Sequence, residues 1–222
     1  TSVTFDGVTL NRGTDYTVTA SFDDAGVGND KNVTATVTLM GQVAKNYALE
    51  QSSFLTTGSI TAKQVTVSGI TANGKVYDGT TDAVLDYSKV VLDGVLENDT
   101  LTVTAKGMFE KADVGEQKVT ISDFKLGGAS AANYVLAESG NQTETTVTIT
   151  AKEVTVTITS NGGTYGSVTA AAAKLSGAVD GDNVPVTLTY TGNNYSSATV
   201  PVNVGSYTVT ASIANSNYTL TG

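Results

Sequence analysis

The chain has 222 residues and no cysteine, histidine or tryptophan, which excludes disulfides, thiolate and imidazole metal sites, and the usual nucleophiles and bases of catalysis. Its formal net charge is −9 and Arg12 is its single arginine, so the basic footprint that grips phosphate backbones is missing and nucleic acid is not an expected partner. No apolar run reaches the roughly 18 residues of a helical membrane span.

Residues 1–62 read as strands. Thr17–Ala20, Val33–Leu39 and Ser59–Ala62 alternate apolar with polar residues, which sets one face toward a core and a threonine face toward water. Turn chemistry separates them at Asp6-Gly7, Arg12–Asp15, Asp23–Gly26 and Gly28–Asp30. The next stretch opens with a strand over Val65–Ile70, turns at Ala72-Asn73-Gly74, and enters a second turn through Lys75-Val76-Tyr77-Asp78-Gly79. Val84–Leu92 fits neither period cleanly, and Val168–Leu175 is alanine-rich, so both are expected to hold a short helical turn. Strands follow over Leu101–Ala105, Lys118–Ile121 and Asn133–Leu136. Pro185 and Pro201 flank strands, as proline must.

Several landmarks repeat at one spacing. Val27-Gly28 returns as Val114-Gly115, since 115 − 28 is 87; Asn46-Tyr47 returns as Asn133-Tyr134, also 87 apart, and again as Asn217-Tyr218. Tyr77-Asp78-Gly79 has a shortened counterpart in Tyr165-Gly166, since 165 − 77 is 88, and Ile60–Lys63 recurs as Ile149–Lys152, 89 apart. A period near ninety makes each copy a small domain rather than a solenoid turn. The expected division is 1–62, a repeat lacking its start; 63–151, a complete repeat; and 152–222, a repeat lacking its last strand. No glycine- or proline-rich spacer lies at either junction, so one domain's last strand passes almost directly into the next domain's first. Six or seven short strands per copy predict an all-β chain of tandem, Ig-like antiparallel β-sandwiches set end to end, with one short helix per repeat; β-grasp-like repeats are the alternative.

Lys75-Val76-Tyr77-Asp78-Gly79-Thr80-Thr81, followed by a Val-Gly, an Asn-Tyr-x-Leu and an Ile-Thr-Ala-Lys, resembles the YDG repeat of bacterial surface proteins. The third copy, with Thr164-Tyr165-Gly166, Val204–Tyr207 and Asn217-Tyr218, is similar to the related MBG repeats. The resemblance implies a place at the bacterial cell surface or wall, or in secreted adhesins, and it carries no catalytic residue.

Tyr77, Asp78 and Gly79, and the pairs Asn46/Tyr47, Asn133/Tyr134 and Asn217/Tyr218, are read as structural motifs, with the tyrosine rings packed and their hydroxyls bonded to backbone. The loop Tyr190–Tyr195 offers a candidate glycan contact in Tyr190, Asn193, Asn194 and Tyr195; the competing reading makes it a hairpin with a Gly-Asn turn. Calcium is the one metal considered, at Asp23, Asp24 and Asp30 or at Asp180, Asp182 and Asn183, against a recurring turn that needs no metal. No cofactor is expected. Nothing selects a lysine–asparagine pair for an isopeptide bond. The expected function is a non-catalytic stalk that projects a functional end from the cell. The alternative is that the repeats themselves bind host, dietary or environmental glycan or protein; neighbouring repeats of the chain are the other expected partner.

Overall fold

The computed structural model describes residues 3–160, 162–192 and 194–221. Among the described residues the regular structure is nearly all β, with one turn of α-helix over Val43–Asn46 and one 3-10 turn over Ala131–Asn133. Two compact units emerge. One joins Thr1–Thr66 to Leu92–Val103 and Leu126–Asn141; the other joins Val67–Val91 to Thr104–Lys125 and Gln142–Gly222. Their bounds do not follow the period of the sequence, because residues 63–151 contribute to both.

In the first unit, Tyr16–Phe22, Gly28–Leu39 and Ser53–Ile60 form an antiparallel sheet in that order. The alternation sets its faces: Val33 and Val37 are buried, while Thr34 and Thr38 are exposed. Gly28–Asp30, expected as a turn, is instead a bulge at the head of the long strand, where Asp30 takes φ 52°. A second ladder of this unit pairs Tyr134–Leu136 with Lys63–Val65.

The second unit is built around a sheet whose central strands are Gly115–Gly127 and Glu144–Thr150, which run antiparallel. Lys75–Val76 adds to the far side of Glu144–Thr150. Downstream, Lys152–Thr159 lies between Ala172–Ser176 and Tyr218–Leu220, and Val186–Gly192 lies between Tyr195–Ser197 and Thr208–Ile213. Tyr77, Phe109, Val119, Ile149, Val154, Val184 and Tyr218 form one buried cluster. Residues from both sides of the Ala151 junction therefore share an interior, with Ile149 fully buried and Val154 1% exposed. Gly69 is fixed by its surroundings: at φ +77°, a Cβ would sit 2.1 Å from the Lys89 carbonyl oxygen.

Two expectations are corrected. The ladders are not antiparallel throughout, because Tyr134–Leu136 runs parallel to Lys63–Val65, Ile149-Thr150 runs parallel to Lys75-Val76, and Tyr218–Leu220 runs parallel to Lys152–Val154. Alternation has the same period in both directions, and a parallel partner reached by a long crossover leaves no local mark. The short helices also lie elsewhere. Leu85-Asp86 pairs with Thr71-Ala72, and Asp86 turns the chain by accepting the Ser88 N–H (2.8 Å) and hydroxyl (3.0 Å). Ala172–Ser176 is a strand because pairing with Thr155–Thr159 overrides the helix preference of alanine.

Candidate coupling site

The motif 75–81 is a loop held shut by its own lysine. Lys75 Nζ donates to Asp78 Oδ1 (2.7 Å), to the carbonyl and hydroxyl of Thr80 (2.8 and 2.9 Å) and to the Asp82 carbonyl (3.2 Å). It also sits 5.2 Å from the centre of the Phe109 ring. Asp78 Oδ1 accepts the Thr80 N–H (2.9 Å) and hydroxyl (2.8 Å). Gly79 supplies the left-handed φ of +77° that the turn requires. Partial burial alone would raise the Asp78 carboxyl, but the Lys75 ammonium and the two Thr80 donors outweigh it and hold the pKa down to about 2.

The closed loop aims Tyr77 across the junction. Its ring is 6% exposed and meets Tyr218 edge to face, with centroids 5.4 Å apart and planes at 76°. Its hydroxyl donates to Asp182 Oδ2 at 2.8 Å, and the Tyr218 hydroxyl donates to the same oxygen at 2.5 Å. The bond runs to a carboxylate 105 residues away, not to backbone as expected. The Asp182 hydrogen bond and burial raise Tyr77 to about 12, and burial and Asp182 raise Tyr218 as well. In return the Tyr218 and Tyr77 hydroxyls lower Asp182, because both donate to its charged form.

Asn217 closes the cluster. It is the one buried polar side chain among the described residues, at 9% exposure. Its Oδ1 accepts the Val114 N–H at 2.9 Å, and its Nδ2 donates to Asp113 Oδ1 at 3.0 Å. The first unit repeats this arrangement. Asn133 Oδ1 accepts the Val27 N–H, also at 2.9 Å. Tyr134 donates to Asp99 Oδ2 and accepts the Leu96 N–H, and burial together with Asp99 raises its pKa. Each later Asn-Tyr pair thus does two things: its asparagine takes the valine N–H of the preceding Val-Gly landmark, and its tyrosine takes a turn aspartate of its own segment. Asn46 and Tyr47 lack this setting, and Tyr47 is 51% exposed.

The sequence named Tyr77 and the Asn-Tyr pairs without their partners. It missed Asp113, and it weighed Asp182 only as a turn or calcium residue. The available signal was an aspartate just before a strand at both Asp99 and Asp182. Of the calcium candidates, Asp24 is engaged by Lys31 and the Gly26 N–H, and among the described residues no group of three or more acidic side chains could hold a metal ion. In the candidate glycan loop, Tyr190 is buried at 6% and accepts the Ala171 N–H, while Tyr195 is partly buried, donates to the Thr199 carbonyl and meets Tyr207 edge to face at 5.9 Å. Gly192 pairs with Tyr195, so the loop is the tip of a hairpin with Asn194 at φ 57°; Asn193 lies outside the described residues.

The family model of the YDG domain matches residues 1–54 and 61–146. No curated protein and no solved structure matches the chain significantly.

Proposed function

The chain belongs to the YDG domain family, and on that premise we propose that it is a non-catalytic spacer of a bacterial surface or secreted adhesin, built of Ig-like β repeats in tandem, the last of MBG type. The observation that carries this reading is the cluster of Tyr77, Asp182, Tyr218 and Asn217, which joins consecutive segments through a core rather than a linker. A spacer must transmit position along its length. Burial of Ile149 and Val154 on either side of Ala151 opposes hinging there, because bending would expose apolar surface at about 25 cal/mol per Å². Two tyrosine hydroxyls on one carboxylate add a directional lock, since charge-assisted bonds are geometrically demanding. The same linkage between Val27 and Asn133 supports a device that recurs.

Small-angle scattering from the 222-residue chain tests this. A rigid tandem on the order of 100 Å long gives a radius of gyration near ~30 Å, against about 17 Å for a compact body of this length. A value near the lower figure would sink the spacer reading. Saturable binding of a glycan by the chain, lost on Tyr195→Ala, would favour the rival in which the repeat surface itself is the binding module.

A further inference from the structure

Asn73-Gly74 leads into the Lys75–Thr81 motif, and we infer that it is a modification site, where the asparagine closes onto the glycine nitrogen, loses ammonia and leaves isoaspartate in the backbone. That reaction needs a side-chain amide free to swing onto the following N–H, and a following residue with no Cβ in the way. Asn73 and Gly74 are both exposed and belong to no strand. Among the described residues the Asn73 side chain enters no hydrogen bond, and the Gly74 N–H takes part in no turn. Asn215, followed by the small Ser216, is held instead: its Nδ2 donates to the Asn183 carbonyl (3.4 Å) and its Oδ1 accepts the Asn217 N–H (3.0 Å). Asp78-Gly79 is spared as well, because Lys75 and the Thr80 N–H hold its carboxylate ionised, and a carboxylate resists attack by a nitrogen. The fold also keeps the glycine in place, since a Cβ at position 74 would crowd the Thr148 carbonyl oxygen at 3.0 Å.

The step balances with water alone. The Gly74 nitrogen attacks the Asn73 Cγ and gives up its proton; the Cγ–Nδ2 bond breaks, and ammonia leaves with that proton. Water then opens the resulting succinimide ring. Opening at Cγ gives aspartate; opening at the main-chain carbonyl gives isoaspartate, whose backbone runs through Cβ and is one carbon longer. The segment has no slack for that carbon. The Asn73 N–H donates to the Val84 carbonyl (2.9 Å) and the Tyr77 N–H to the Thr150 carbonyl (2.8 Å), while Lys75-Val76 pairs with Ile149-Thr150 between these two anchors. Lengthening the chain at 73 therefore displaces residues 74–77 and loosens the Tyr77 hydroxyl from Asp182. Deamidation of Asn73 is a slow release of that bond by chemistry the chain itself carries.

The test ages the full chain in warm, mildly alkaline buffer, cuts it with trypsin and weighs the fragments. Asn73 is the one asparagine of the fragment Gln64–Lys75. Asn161, which belongs to the chain's other Asn-Gly pair and lies outside the described residues, falls in the separate fragment Glu153–Lys174. The first fragment should gain the mass of one amide-to-acid exchange and accept label from an isoaspartate methyltransferase. Its rate in the folded chain should stay within about fivefold of its rate in urea, whereas the rate at Asn215 should fall at least about tenfold on folding. The aged chain should melt at least about 3 °C lower, with faster amide exchange at Tyr77. Asn73→Gln, whose longer side chain closes a ring less readily, should age without either change. A larger slowing of Asn73 on folding, or aspartate as the sole product, overturns the site. Unchanged exchange at Tyr77 in the isoaspartate-bearing chain overturns the release, as does a loss of melting temperature that persists in Asn73→Gln.

Discussion

Replacing Tyr77 with phenylalanine removes one atom from the junction and leaves its packing. The ring keeps its edge-to-face contact with Tyr218 and its place in the buried cluster. What goes is the hydroxyl bond to Asp182 Oδ2. A hydrogen bond to a charged group contributes about 1.5–3 kcal/mol. Asp182 is partly exposed and keeps the Tyr218 hydroxyl, so the lower end, about 1.5 kcal/mol, applies here. In a chain of this size that lowers the melting temperature by about 3–6 °C. Tyr77→Ala also empties the site of a ring that is 6% exposed, and such truncations cost about 3–5 kcal/mol. Calorimetry should therefore rank Tyr77→Ala well below Tyr77→Phe, and Tyr77→Phe below the unaltered chain. Two compact units make a single two-state transition an unsafe assumption, so the transition that moves is the one to measure. A double-mutant cycle with Asp182→Asn isolates the bond. If the two single effects add to within about 0.5 kcal/mol, the hydroxyl and the carboxylate are not coupled and the lock does not exist.

Asn217→Ala should cost about 1–3 kcal/mol, because it strands the Val114 N–H in a partly buried place, whereas Asn46→Ala on the exposed pair should stay within about 0.5 kcal/mol. Amide exchange at Val114 reports the loss directly; unchanged protection there would contradict the assignment. Asp78 titrates lower in the folded chain than its ordinary 3.8, so it stabilises above that pH, and the contribution fades as pH falls toward about 2. Asp78→Asn should accordingly flatten the acid limb of a melting-temperature profile between those two values while leaving the neutral-to-alkaline limb in place. Tyr77 runs the other way: its raised pKa contributes below pH 10 and is lost between 10 and about 12, so Tyr77→Phe should flatten the alkaline limb.

Strand content was legible in the residues because side-chain alternation is a local property. Val33 and Val37 facing inward, with Thr34 and Thr38 outward, needed no partner to be foreseen. The repeated landmarks were legible too, as matched spacing requires only the chain itself. Strand direction and partner choice were not. Ile149-Thr150 meets Lys75-Val76 in parallel across more than seventy residues, and nothing near either segment encodes that meeting. Asp182 shows the same limit most clearly. Beside Asp180 and Asn183 it reads as a loop acid, yet it receives hydroxyls from Tyr77 and Tyr218. The sequence by itself determined that the chain is built of strands and which landmark residues recur, while its turn at Gly28–Asp30 and its helical turns in Val84–Leu92 and Val168–Leu175 gave way to tertiary pairing. Tertiary structure decided which edges pair and which donors find which acceptors, because those contacts join residues whose separation along the chain carries no information about their distance in space.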